Sequence, residues 1–315
     1  MKTMLKLLFL SLVACVSETA IAAAATSPAE KLKVVTTIPD LADITNQIGG
    51  DRVDVMSICK GRENAHAVSV KPSHLVAMSK CDMFVEVGLS LELAFVPGLL
   101  ESCRNEKIQP GKPAFVNCSL GWEAIEVPAS LSRQAGDVHP HGNPHMNLDP
   151  RAGRHIAGRV FEALVAIDSA SKVAYQKRYD DYLAKLTEAE KRWSEIGTKW
   201  KGEKIIEYHQ EYRYFAHSRG IDVIGTVETK PGVPPTPNHI AHVIDLIKRE
   251  RVKVIVTAIW SNNATVRRIA EESGAIVLEI PNMCGGLPGT ETWIGMMDVL
   301  HKRFAGAFGT TVPSK

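Results

Sequence analysis

The sequence predicts an α/β protein of two similar lobes, each built on a parallel sheet, joined by a long rigid helix. Short β-branched runs alternate with helix-like segments in both halves of the chain, the pattern of βαβ units. Between the halves, from residue 169 to about residue 200, runs a stretch with no Pro and a single Gly. The second half then repeats the element order of the first.

The first strand is expected at residues 33–37 (KVVTT), bounded by Pro39, and a helix at 41–48 ends at the Gly49-Gly50 pair. A second strand at 53–58 leads into a loop through Gly61, Asn64 and His66. Pro72-Ser73 opens the next helix, and strands follow at 83–87 and 114–117. In the long central segment Tyr175, Tyr179, Tyr182, Leu183, Leu186, Ala189 and Trp193 fall at helical spacing. A single helix of about 28 residues would be about 42 Å long, suited to a strut between lobes; two helices kinked near Thr187 are the alternative. The second half gives strands at 204–208, 222–228, 252–259 and 275–280, with helices at 212–218 and 239–250. The halves also echo each other in letters. Lys71-Pro72-Ser73-His74-Leu75 and Thr236-Pro237-Asn238-His239-Ile240 each open a helix that leads to a strand, with proline in the first turn, where its missing N–H costs nothing. The resulting division is residues 1–22 as signal peptide, 23–168 as N-terminal lobe, 169–202 as linking helix and 203–315 as C-terminal lobe.

At 315 residues the length suits about two domains. A formal net charge of +2, with no basic or acidic tail, excludes a nucleic-acid surface built from clustered Lys and Arg. Lys2 and Lys6 precede the apolar run 7–16, and Ala20-Ile21-Ala22 follows as a small-x-small site, the layout of a secretory signal cut near Ala22. The run is too short to span a bilayer. A second possible cut, at Leu12-Val13-Ala14-Cys15, would instead leave a lipoprotein anchored at Cys15. Periplasmic export is the expectation in either case. Cleavage near Ala22 removes Lys2, Lys6 and Glu18 and leaves 35 basic against 34 acidic residues and five cysteines.

In an oxidising compartment cysteines tend to pair. Cys103 and Cys118 flank a turn-rich segment and are expected to pair. Cys59 ends one strand and Cys81 begins the next, so they are expected to pair as neighbours. Cys284 is the odd thiol, read either as a small buried hydrophobe or as a ligand.

Whole function classes drop out because the sequence has no GxxxxGK[ST], GxGxxG, GxSxG, HExxH or CxxC motif. What remains is histidine on loops. Ligands of α/β lobes bind outside the carboxyl ends of the strands. Four positions meet that condition: His66 after the second strand, His145 after a longer loop, His209 directly after residues 204–208, and the Asn282-Met283-Cys284 turn after the last strand. Two come from each half, so facing lobes could gather all four around one point in the cleft. His74, His155, His217, His239, His242 and His301 sit within helices or at their ends and are read as structural. His139 and His141 form an auxiliary loop, either transient metal contacts or a polar turn.

Three segments carry a family resemblance. Residues 64–73, Asn64-Ala65-His66 through Pro72-Ser73, resemble the N/D-P-H-x-x-x-x-x-P-S signature of metal-binding substrate-binding proteins of bacterial zinc and manganese ABC importers. Asn143-Pro144-His145-Met146-Asn147-Leu148-Asp149-Pro150 is similar to that family's N-P-H-x-W-L-D-P block, and residues 208–216 to its third block, a His followed by an aromatic helix. The resemblance spans the mature chain in order and spacing. It implies two lobes with one metal between them and His66, His145 and His209 as ligands. It also implies a permease of the inner membrane as partner, and residues 230–237 either dock there or are simply a stiff connection.

The family's fourth ligand is usually an acidic residue in a D-x-x-G turn, and here the turn is Asn282-Met283-Cys284-Gly285. A neutral amide is a poor zinc ligand. The options are a Cys284 thiolate, Glu228 reaching across, or water oriented by Asn282. Three imidazoles suit zinc, whereas manganese prefers more oxygen. Zinc is therefore the expected cargo of a monomeric transport protein, with manganese second. The rival readings are a zinc hydrolase using Glu211 or Glu228 as base and a metal-independent interaction protein.

Overall fold

The computed structural model describes residues 30–128, 139–261 and 264–310; the expected signal segment and Cys15 lie outside them. The two β-branched halves fold into two four-stranded sheets, every pairing parallel. The first contains β1 (Leu32–Thr36), β2 (Val53–Ser57), β3 (Met83–Glu86) and β4 (Phe115–Asn117) in the order β2-β1-β3-β4. The second contains β5 (Lys204–Glu207), β6 (Asp222–Thr226), β7 (Val254–Ala258) and β8 (Ile276–Ile280) in the order β6-β5-β7-β8. The strand order is the same in both, so the echo in the sequence is a repeat in topology. Parallel neighbours require crossover connections. These are supplied by α1 (Pro39–Gly49), α2 (Pro72–Lys80) and α3 (Val96–Cys103) in the first half, and by α6 (Arg213–Arg219), α7 (Pro237–Glu250) and α8 (Ala264–Ser273) in the second.

Between the sheets run α4 (Ala152–Ile167) and α5 (Lys172–Gly197), and α9 (Trp293–Ala307) closes the described chain. α5 is one unbroken helix of 26 residues, about 39 Å long. The helix runs without a break through Thr187, whose hydroxyl donates to the Leu183 carbonyl one turn back at 2.9 Å. The buried stripe of α5 faces both lobes. It packs on α1 and α4 at one end and on α9 at the other, where Trp193 stacks on His301 at 5.3 Å and its indole N–H donates to Asp298 at 2.7 Å.

α3, α4, α8 and α9 have no bounds among the sequence expectations. Pro97 occupies the first turn of α3, where proline is tolerated. α9 starts at a Thr292 cap whose hydroxyl accepts from Gly295 N.

The cysteine pairing is corrected. Cys59, Cys81, Cys103, Cys118 and Cys284 are all buried as free thiols. Cys59 and Cys118 belong to one hydrophobic cluster and Cys81 and Cys103 to another. These clusters lie on opposite faces of the first sheet, since Val34 and Val85 enter one while their neighbours Val35 and Phe84 enter the other. Each expected pair would have to cross that sheet. Cys59 and Cys81 are also not neighbours, because β1 lies between β2 and β3. Cys59 follows the end of β2, whereas Cys81 precedes the start of β3, so in a parallel sheet they sit at opposite ends of the strands.

Candidate metal centre

His66 and His145 are each set by the same local device. The Asn64 side-chain oxygen accepts from His66 N at 2.9 Å, and the Asn143 oxygen accepts from His145 N at 3.0 Å. Both are Asx turns, in which a short side chain replaces a backbone turn and fixes the next residues. Asn143 does more, because its amide nitrogen reaches Glu126 and the Gln210 carbonyl, both at 2.9 Å. Tyr214 of α6 closes the same loop by donating its hydroxyl to the Asn143 carbonyl at 2.8 Å. The His145 loop is therefore tied to the segment that carries His209.

His209 follows β5 by two residues. Its Nδ1 lies 2.7 Å from Glu228 Oε2, and the same carboxylate oxygen accepts from Gly232 N at 3.1 Å. A carboxylate behind Nδ1 favours the tautomer with its proton there, which leaves Nε2 to face the cleft. Glu228 thus stands behind His209. It holds the tautomer and does not reach across as a fourth donor.

The three rings converge. His66 Nε2 lies 3.1 Å from His145 Nε2 and 3.3 Å from His209 Nε2. The ring planes cross at 74° to 88°. Among the described residues these three form the one group of His, Cys, Asp or Glu donors close enough to share an ion. His145 and His209 are buried and His66 is half-buried. Burial, then the neighbouring imidazoles, hold His66 and His145 well below the usual histidine pKa. For His209 burial acts in the same direction, but the Glu228 hydrogen bond and the carboxylates of Glu211 and Glu207 outweigh it and raise its pKa.

His139 also joins this corner, stacking on His66 with centroids 5.1 Å apart. His141 is exposed and lines a cavity of about 690 Å³ beside β4. Cys284 is buried with its N–H donating to Asp40 at 2.9 Å. Burial and Asp40 push its thiol well above the ordinary value, and it is not in the group of converging donors. Asn282 and Glu211 are buried beside one another, and Glu211 also accepts from the Trp260 indole at 3.1 Å. Trp260, Asp40, Tyr214 and Asn147 escaped the sequence reading, since each acts through contacts between distant segments. The two Asn-x-His turns were visible in the letters, and their common spacing was the signal.

Two α/β lobes on a helical spine, with histidines from both gathered between them, define a two-lobed binding protein for a metal ion. The profile of the family described as zinc-uptake complex component A, periplasmic, matches residues 34–307, and the chain belongs to that family of metal-binding substrate-binding proteins of ABC importers. It is a transport component rather than an enzyme, which removes the hydrolase reading. The high-affinity zinc uptake system protein ZnuA of Bacillus subtilis is 25% identical over 297 residues, covering 92% of this chain and 91% of its own. The manganese ABC transporter substrate-binding lipoprotein PsaA of Streptococcus anginosus is 26% identical over 271 residues, 85% of each. A zinc-bound crystal structure of a ZnuA deletion mutant shares the fold with a TM-score of 0.75 at 21% identity, covering 90% of this chain and 100% of that one. Similar proteins thus carry the names of both metals.

Proposed function

We propose that the chain binds zinc through His66, His145 and His209 in the periplasm and hands it to an ABC permease of the inner membrane. The nitrogen spacing is the observation that carries this reading. Four ligands at 2.0–2.1 Å in a tetrahedron stand about 3.3–3.4 Å apart, and the His66 nitrogen lies 3.1 and 3.3 Å from its two neighbours. The donor set agrees, because imidazole suits zinc while manganese favours oxygen. Glu228 contributes by fixing the Nδ1–H tautomer of His209, as carboxylates commonly do behind metal-bound histidines. The protein acts as a monomer. It is cut near Ala22 or anchored at Cys15, and intact mass distinguishes the two.

Competition titration of metal-stripped protein with a chelator tests the cargo. Zinc is expected to bind one ion per chain, at least about tenfold more tightly than manganese. Tighter manganese binding would overturn the zinc assignment, and failure to bind either metal would remove the centre.

A further inference from the structure

The turn that follows β8 is touched by all three histidine loops. Asn147, two residues beyond His145, donates its side-chain nitrogen to the Asn282 carbonyl at 3.0 Å. Glu211, two residues beyond His209, accepts from Asn282 Nδ2 at 2.9 Å. On the His66 loop, Arg62 donates to the Gly286 carbonyl at 3.2 Å. A side chain at Gly61 would collide with the Cys284 carbonyl and the Gly286 backbone, so glycine there permits the approach.

Asn282 is 3% exposed, and its orientation follows from its partner. Asn282 Nδ2 donates to Glu211 Oε1, and the Trp260 indole holds that side chain from the other side. Asn282 Oδ1 is left buried with no hydrogen-bond partner among the described residues. A buried oxygen without a partner is costly, on the order of 1–3 kcal/mol, and it marks a place built to meet a donor.

Building on the metal-centre reading, we infer that Asn282 Oδ1 accepts the hydrogen bond of the water completing the tetrahedron around the three imidazoles, and that Glu211 enforces this orientation. Negative charge is thereby kept one residue back from the metal. The fourth corner stays neutral, which favours zinc and withholds the carboxylate oxygen that manganese prefers. Glu211 and Asn282 act together as the element that sets metal preference, although neither is a ligand.

Exchanging the pair tests the inference. In the double variant Asn282→Asp/Glu211→Gln the hydrogen bond is kept with donor and acceptor reversed, and the carboxylate moves to the corner. Measured by chelator competition with Zn²⁺ and Mn²⁺, the manganese-to-zinc affinity ratio is expected to rise about tenfold or more over the parent chain. A ratio within twofold of the parent overturns the inference. The single variant Asn282→Ala provides a second reading if the double variant does not fold. Its zinc affinity is expected to fall about tenfold, with an altered visible spectrum of the Co²⁺ form. An unchanged Co²⁺ spectrum, with only a lower melting temperature of the metal-free protein, would mean a structural role and would also overturn it. A parent chain that binds neither metal defeats the metal-centre reading itself. A parent that binds zinc while the double variant keeps its ratio defeats only this inference.

Discussion

The two lobes share one strand order but bring different chemistry to the cleft. The first contributes two imidazoles, His66 and His145, each placed by an asparagine two residues earlier. Among the described residues no carboxylate is recorded bonding to either ring, and after burial the groups acting on them are the neighbouring imidazoles. The second lobe contributes one imidazole, backed by Glu228 at 2.7 Å and near two further buried carboxylates, Glu207 and Glu211. The same fold thus divides the work. One lobe supplies donors already free of protons, and the other supplies a donor with a carboxylate, Glu228, directly behind it.

Removing one donor from each lobe should produce the largest effect. His145→Ala and His209→Ala should each weaken zinc by more than the roughly 10–100-fold that contacts behind a ligand are worth. Chelator competition measures this, and a variant that binds within tenfold of the parent would take that residue out of the centre. Glu228→Gln comes next. Its side-chain oxygen can still accept from His209 Nδ1, so the geometry persists while the charge is lost, and about a tenfold loss is expected. If Glu228→Gln costs as much as His209→Ala, the carboxylate has a direct role and the division between the lobes fails.

The lobes should also separate by pH. Metal binding requires neutral imidazoles. His66 and His145, depressed far below 6.5, carry no proton to displace until well into acid. His209, raised above 6.5, is the group that does. As pH falls through the raised His209 value, zinc affinity should drop about tenfold per unit, the slope of one proton. A slope of three protons over that range would show that the rings titrate alike. The metal-free protein follows the same signs. Below pH 6.5 the depressed pair subtracts stability, because the unfolded chain gains protons that the folded one refuses, whereas His209 adds stability at low pH that is lost as pH rises through its folded value.

Much of this was legible before any coordinates. The apolar runs at β1, β3, β5 and β7 mark central strands buried on both faces, which read as continuous apolar stretches. The three ligand candidates stood out because each follows a strand. Strand order across a sheet is not written locally, however, and the cysteine pairing failed on it: β1 between β2 and β3 separates Cys59 from Cys81. The direction a carboxylate faces is likewise set by its tertiary neighbours. Glu228 was a candidate to reach across the cleft, and only the approach of β6 to β5 places it behind His209. Asn282 was flagged for what it is not, an acid, while the Glu211 contact that fixes its amide joins residues 71 apart in sequence.

The smallest expected effects distinguish two asparagines that look alike in the sequence. Asn64 bonds within its own loop, whereas Asn143 also holds Glu126 and the Gln210 carbonyl. Asn64→Ala therefore removes one net hydrogen bond, about 1 kcal/mol, and should shift the melting temperature of the metal-free protein by about 2–4 °C. Asn143→Ala also strips partners from the part-buried Gln210 carbonyl and from Glu126, a further loss of about 1 kcal/mol. It should lower the melting temperature further and loosen His145 relative to His209, so that zinc affinity falls along with stability. Asn64→Ala should change affinity less, because the His66 loop is also held by the Arg62–Gly286 contact. Equal effects of the two substitutions would mean that the Asx turn alone positions each histidine and that the link from Asn143 to the second lobe contributes little.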